Sequence, residues 1–147
     1  MSSKASRSTA TTTPLSTSQP RSKKEWLVHL PDHTDPSTLA KRVSVRGDHL
    51  SGIGPALASG RLLFGGATLS AHPEAEEGGG GAASAPPPPP MTGSVMLVTA
   101  ESEEEVREFV RADVYARSGV WDVQKMTVWP FRTAVRRGVE VGGEVWR

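Results

Sequence analysis

The chain of 147 residues contains neither cysteine nor asparagine. Without cysteine it can form no disulfide, no thiolate nucleophile and no cysteine-based zinc or iron–sulfur site. Without asparagine it has no acceptor for N-glycosylation. It also lacks a run of about 18 apolar residues and the apolar segment of a signal peptide. We therefore expect a soluble, cytoplasmic protein with no membrane segment, and we expect neither a metal nor a cofactor.

The first 24 residues lack acidic side chains but hold five of the chain's 17 lysines and arginines. Such a basic, Ser/Thr-rich stretch cannot bury enough apolar surface to fold, so residues 1–24 are predicted to be a disordered tail. An acid-free start is also compatible with a mitochondrial transit peptide, although Pro14 interrupts any helix. The rest of the chain carries a formal charge of −4. This acidic balance argues against a nucleic-acid partner for the domain. Weak, salt-sensitive binding of nucleic acid by the basic tail is a minor alternative.

Hydrophobic periodicity predicts one α+β domain over residues 25–132. Trp26, Val28 and Leu30 point to one side of a strand that ends at Pro31. The further predicted elements are a helix from Asp35 to before Gly60, strands over residues 61–69, 93–99 and 123–131, and a helix that begins at the capping box Ser102–Glu105. Glycines in the first helix allow a break near Gly52.

Two segments have no regular pattern. Residues 70–92 contain four consecutive glycines and five consecutive prolines, a composition that predicts a disordered insert between the second and third strands. Residues 133–147 are predicted to form a C-terminal tail. Because extra loop length adds little entropic cost, the insert is interpreted as a tolerated expansion of a hairpin.

The predicted order β-α-β-β-α-β is that of a ferredoxin-like fold, with two helices on one face of a four-stranded antiparallel sheet. The third strand is apolar on both sides, since Val95 and Leu97 face away from Met96 and Val98. The second sheet face therefore needs a cover, and a homodimer would supply it. A monomer whose open face is screened by the termini or the insert remains the alternative.

The first helix carries basic residues on its apolar side. If Leu39 is set at zero on a helical wheel, the apolar residues up to Leu57 fall within about 40° of it. Arg46 falls inside this arc, at about −20°, and is predicted to face the core. Arg42 and His49 lie at the edge of the arc, at about −60° and −80°.

Two interpretations of these residues remain open. In the first, Arg46 pairs with Asp113 at the end of the second helix and His49 is a structural polar residue. In the second, His49 is a general acid or base that Asp113 orients, with a neighbouring arginine for an anionic substrate. His29 and His33 are interpreted as surface residues and not as metal ligands.

Seven short sequence motifs follow one another along the chain. They lie at residues 25–28, 46–50, 65–67, 93–95, 113–115, 118–122 and 130–131. In order and spacing they resemble those of the YCII-related domain proteins. The resemblance implies the dimeric α/β-barrel form of the ferredoxin-like fold, and it implies a His-Asp pair that corresponds to His49 and Asp113. This chain departs from the family at Val114, where the family often has proline after the aspartate.

Some members of that family are associated with lyase-like proton abstraction, including elimination from halogenated hydroxyquinones. The expected function is therefore a His-Asp proton transfer, lyase-like or dehydrochlorinase-like, on a small anionic metabolite. Predicted substrate contacts are Arg42, Arg46, Gly66 and Tyr115. A non-catalytic dimer of the same fold, which binds a small molecule or has a structural role, remains the alternative.

Overall fold

The computed structural model describes residues 23–73 and 87–135, and the backbone of residues 140–141 and 144–145. Most of the predicted N-terminal tail and residues 74–86 of the predicted insert lie outside this part of the chain. The elements are β1 Lys24–Pro31, α1 Thr38–Ala58, β2 Leu62–Leu69, β3 Met91–Ala100, α2 Glu103–Arg111, α3 Val114–Arg117, a 3-10 turn Val123–Lys125, β4 Thr127–Phe131, and the short paired strands β5 Glu140–Val141 and β6 Glu144–Val145.

The four long strands form one antiparallel sheet in the order β2-β3-β1-β4. This order and the β-α-β-β-α-β connection confirm the predicted ferredoxin-like α+β fold. Trp26 lies opposite Val98 and Val28 lies opposite Met96, and all four side chains are buried in the core. The predicted alternation of β1 is therefore correct, and it directs this face of the sheet toward the core.

The other face of the sheet keeps large apolar side chains exposed. Phe64, Trp129 and Phe131 are 46%, 47% and 41% exposed, respectively. Next to them lies a groove of about 310 Å³ that Phe64, Phe131 and the segment after β4 line. The prediction of an apolar second face thus holds for the described residues.

The ends of the helices differ slightly from the predictions. α1 begins at Thr38, with Ser37 before it, and not at Pro36. The Asp35 carboxylate still binds this helix end, because it accepts hydrogen bonds from the Ser37 and Thr38 hydroxyls. At α2 the predicted cap is present, since the Ser102 hydroxyl accepts a bond from the Glu105 amide.

Some local details differ from the predictions. The fourth strand begins at Thr127 and not at Val123, because Val123–Lys125 form a 3-10 turn. α1 is continuous from Thr38 to Ala58, so the chain has no break near Gly52. β3 begins at Met91, two residues before the predicted strand. The Ser70 amide donates to the Pro90 carbonyl at 3.0 Å, which closes the base of the hairpin between β2 and β3.

The rotation of α1 is the main correction to the sequence analysis. Val43, Leu50 and Leu57, all within the apolar arc, are 43% to 50% exposed. The buried residues of α1 are instead Thr38, Arg42 and Ala56, which lie about 60° to 100° from the centre of that arc. The helix therefore packs along the edge of its apolar stripe, where Arg42 and His49 lie.

Candidate functional site

His49 and Asp113 meet between α1 and the start of α3. Nδ1 of His49 lies 2.9 Å from both carboxylate oxygens of Asp113, and the two side chains are only 12% and 11% exposed. Asp113 also accepts a bond from the Tyr115 amide at 2.8 Å. Because a carboxylate only accepts, Nδ1 carries the donated proton and the neutral ring keeps Nε2 as its basic nitrogen.

Aromatic rings fix the plane of the imidazole. The Tyr115 ring is stacked on His49, with 4.0 Å between the centroids and 16° between the planes. Trp121 meets the imidazole edge-on at 5.6 Å. Burial raises the pKa of the Tyr115 phenol more than the nearby Arg42 and Arg46 lower it. The phenol is therefore protonated at neutral pH and can donate a hydrogen bond.

Arg42 lies against the Tyr115 ring in a buried polar network. Its Nη1 donates to the two carboxylate oxygens of Asp32 at 2.7 and 3.0 Å, and its Nη2 donates to the Ser94 hydroxyl at 2.8 Å. The guanidinium also lies 4.6 Å from the centre of the Tyr115 ring. Arg42 is only 3% exposed, so the ion pair with Asp32 balances a charge that water cannot solvate.

Asp32 itself feels two opposing effects. Its removal from water raises the pKa of the carboxyl above its ordinary 3.8, and this outweighs the attraction of Arg42, which lowers the pKa. The folded state therefore binds a proton at Asp32 more readily than the unfolded chain does. The contribution of Asp32 to the free energy of unfolding therefore increases as the pH falls through the raised pKa of the folded state toward 3.8, the ordinary value of this carboxyl.

A cavity of about 140 Å³ opens beside His49. Its lining includes all of the predicted site residues except Asp113, together with Ser94 and Trp121, as well as Leu50, Ile53, Met91 and Met96. Gly66 and Gly65 contribute backbone without side chains on the β2 side. The cavity thus combines polar groups near the imidazole with an apolar wall.

The burial of Arg42 and Arg46 is the reverse of the prediction. Arg46 is exposed at the cavity, and no described residue forms an ion pair with it. The prediction that Arg46 faces the core was wrong. Of the two open interpretations of Asp113, the one in which it pairs with Arg46 does not hold, because the carboxylate binds His49 and the Tyr115 amide. Arg42 is the buried cation.

Sequence reasoning missed Asp32 and Ser94. Asp32 follows the end of β1 and Ser94 lies in β3, so their contact with α1 depends on the topology of the sheet. Within the described residues, no group of three or more His, Cys, Asp or Glu side chains could hold a metal ion. No helix in the same part of the chain is both long and apolar enough to cross a bilayer.

Residues 26–132 match the YCII-related domain. The chain belongs to this family. Fusaric acid biosynthesis protein 2 of Gibberella fujikuroi is 39% identical over 110 residues, which are 75% of this chain and 94% of that protein. Aspartate kinase FUB3 of Fusarium oxysporum f. sp. lycopersici is 39% identical over 115 residues, which are 78% of this chain. The match spans only 19% of the kinase.

A solved structure with a bound ligand has a similar fold. It is the 5-chloro-2-hydroxyhydroquinone dehydrochlorinase TftG of Burkholderia phenoliruptrix, in complex with 2,5-dihydroxybenzoquinone. The two chains are 26% identical, with a TM-score of 0.54 and coverage of 74% of this chain and 93% of TftG. The likeness supports the dimeric α/β-barrel type of fold.

The buried ion pair yields a stability prediction for this YCII-related domain. Arg42→Met should reduce the free energy of unfolding by about 3 to 5 kcal/mol at neutral pH, because it leaves the Asp32 carboxylate buried without its partner. Urea unfolding followed by circular dichroism measures the change. The loss should shrink at lower pH, where the isolated Asp32 takes up a proton.

Arg107→Met is the matched control. Arg107 pairs with Glu103 one helical turn away on the surface of α2, and such exposed pairs contribute about 0.3 to 0.5 kcal/mol. If Arg42→Met cost no more than Arg107→Met, the buried pair would not hold α1 in place.

Proposed function

We propose that this YCII-related protein is a small lyase-like enzyme that transfers a proton from a small anionic metabolite to His49. The observation that carries the proposal is the contact between His49 Nδ1 and Asp113. It assigns the proton of the neutral ring to Nδ1, and it leaves Nε2 without a hydrogen-bond partner among the described residues. His49 lines the cavity, and the proposal places its Nε2 against a bound substrate.

In the proposed reaction, Nε2 of His49 removes a proton from a carbon next to a carbonyl group. The electron pair of the broken C–H bond moves toward the carbonyl and forms an enolate. In an elimination, this pair then forms a C=C bond while a leaving group departs with the electrons of its own bond. Asp113 stabilises the imidazolium that forms, and water finally takes the proton from Nε2.

The charges around the cavity favour an anionic substrate. Asp32 balances Arg42, and Asp113 faces His49. Arg46 is left as a cation with no ion-pair partner in the described part of the chain. An arginine can bind a carboxylate or an enolate oxygen through two parallel hydrogen bonds, so Arg46 is the proposed anion-binding residue.

The relatives support a role in small-molecule chemistry. TftG is named as a dehydrochlorinase and was solved with a dihydroxyquinone, and a second relative is named for fusaric acid biosynthesis. Both names concern small oxygenated molecules. They support a substrate of this kind for the present protein, without specifying which one.

The alternative is a protein that uses the same cavity to bind a ligand without converting it. The exposed position of Leu50 at the cavity is compatible with either function. The two functions differ in one respect, because only the enzyme removes a carbon-bound proton.

Exchange of the carbon-bound hydrogen of a substrate with solvent deuterium tests this difference. In D₂O, the wild-type protein should catalyse deuterium incorporation into, or elimination from, at least one member of a panel of hydroxyquinones and carboxylated ketones, as measured by mass spectrometry. His49→Gln should slow this reaction by about 100-fold or more, the lower end of the usual general-base contribution. Asp113→Asn should also slow it, because an amide cannot balance the imidazolium charge.

Ser51→Ala, on the exposed side of α1, is the control and should react at the wild-type rate. If no compound in the panel reacted, or if His49→Gln reacted as fast as the wild type, the proton-transfer proposal would be wrong. Binding without exchange would favour the non-catalytic alternative.

We also propose that the exposed sheet face is covered by a second copy of the chain. The face carries Phe64, Trp129 and Phe131, which are all more than 40% exposed. The burial of such apolar surface against a partner is favourable, because it removes the surface from water. The identical sheet of a second protomer is a partner of matching shape and polarity.

Sedimentation measures the proposed assembly. The wild-type protein should sediment as a dimer, and Trp129→Glu should convert it to a monomer by placing a charge in the interface. Leu57→Glu is the matched control, because Leu57 is 50% exposed but lies on α1. A monomeric wild type, or a dimer that only Leu57→Glu disrupts, would contradict the proposed interface.

A further inference from the structure

Ser94 lies at the point where the buried network meets the cavity. It occupies the helix-facing side of β3, opposite Leu30 in the sheet, and it is only 4% exposed. It also lines the cavity that contains His49. Buried polar groups in proteins normally have hydrogen-bond partners. A donor or acceptor of Ser94 that lacks a partner therefore needs an explanation.

The hydrogen bonds of Ser94 leave its hydroxyl proton without a partner among the described residues. A serine hydroxyl has two acceptor lone pairs and one donor proton. Its Oγ accepts from Arg42 Nη2 at 2.8 Å and from Trp121 Nε1 at 3.1 Å. Both of these nitrogens can only donate, so they take up the two lone pairs. The hydroxyl proton must then donate, and none of the described residues accepts it.

The donors that surround Ser94 are themselves fixed. Arg42 is held by two bonds to Asp32, and Trp121 is only 1% exposed. The hydroxyl therefore cannot reverse its role without leaving a buried N–H group unpaired, which costs about 1 to 3 kcal/mol. A donor with a fixed direction needs no reorganisation when a charged oxygen forms beside it.

We propose that the Ser94 hydroxyl donates a hydrogen bond to a carbonyl or enolate oxygen of the ligand, and that it selects an acceptor atom at this position. Because its lone pairs are occupied, Ser94 cannot accept a bond from a ligand hydroxyl or amine. The substrate class that follows from this bond rests on the proposed proton transfer, whereas the hydrogen bond itself does not. The substrate is an enolisable carbonyl compound, with the carbonyl oxygen at Ser94 and an anionic group at Arg46.

The test uses 2,5-dihydroxybenzoquinone as the probe, because its ring carries oxygens that act as hydrogen-bond acceptors. In a crystal of the wild-type protein with this probe, a ligand oxygen should lie within hydrogen-bonding distance of Ser94 Oγ, about 2.5 to 3.0 Å. This measurement needs no variant. A ligand oxygen farther than about 3.5 Å from Ser94 Oγ would overturn the proposal, as would failure of the folded protein to bind the probe.

Variants then separate donation from structural support. Ser94→Ala should bind the probe about tenfold more weakly, the effect of one lost hydrogen bond, and the C–O stretching band of the bound probe should shift in the Raman spectrum. Ser94→Thr keeps the hydroxyl and should retain the wild-type band. Ser51→Ala should change neither the affinity nor the band.

An unchanged affinity and band in folded Ser94→Ala would overturn the proposal. If Ser94→Ala did not fold, the distance in the wild-type complex and the band of Ser94→Thr would decide it. The result is independent of His49. Should His49→Gln leave hydrogen exchange unaffected while the Ser94 bond is observed, the proton-transfer proposal fails and the Ser94 assignment stands.

Discussion

The buried ion pair between Arg42 and Asp32 determines how α1 packs on the sheet. A guanidinium in the core must be paired, and both carboxylate oxygens of Asp32 accept from it. In this packing the apolar side chains of Val43 and Leu57 remain exposed. His49 follows Arg42 by seven residues, or about two helical turns, and so lies on the same side of the helix. The contact between His49 and Asp113 is a consequence of that rotation.

The same network arranges the chemistry of the cavity. The Arg42 charge is paired with Asp32. Among the described residues that line the cavity, this leaves Arg46 as the cation for a ligand. Arg42 and Trp121 together fill the lone pairs of Ser94, which makes this hydroxyl a donor. In the proposed function, a base at His49, a donor at Ser94 and a cation at Arg46 would act on one small carbonyl compound.

The sequence predicted the sheet and the second helix well because local patterns specify them. Alternation in β1 and the capping pair Ser102–Glu105 need no information from distant residues. The contact of His49 with Asp113 was also anticipated, from the chemistry that a histidine base needs and from the family resemblance. The rotation of α1 was not, because a helical wheel treats Arg42 as polar and cannot show the partner that allows its burial. Ser94 was missed for a related reason, since its role appears only when β3, α1 and Trp121 come together.

The most direct test of this account is the tautomer of His49, measured on the wild-type protein by long-range ¹H–¹⁵N NMR with the imidazole in its neutral form. If Asp113 orients the ring, the proton must reside on Nδ1 and Nε2 must give the shift of an unprotonated nitrogen. A proton on Nε2 would contradict the account. In that state Nε2, the proposed base, could not accept a proton from a substrate.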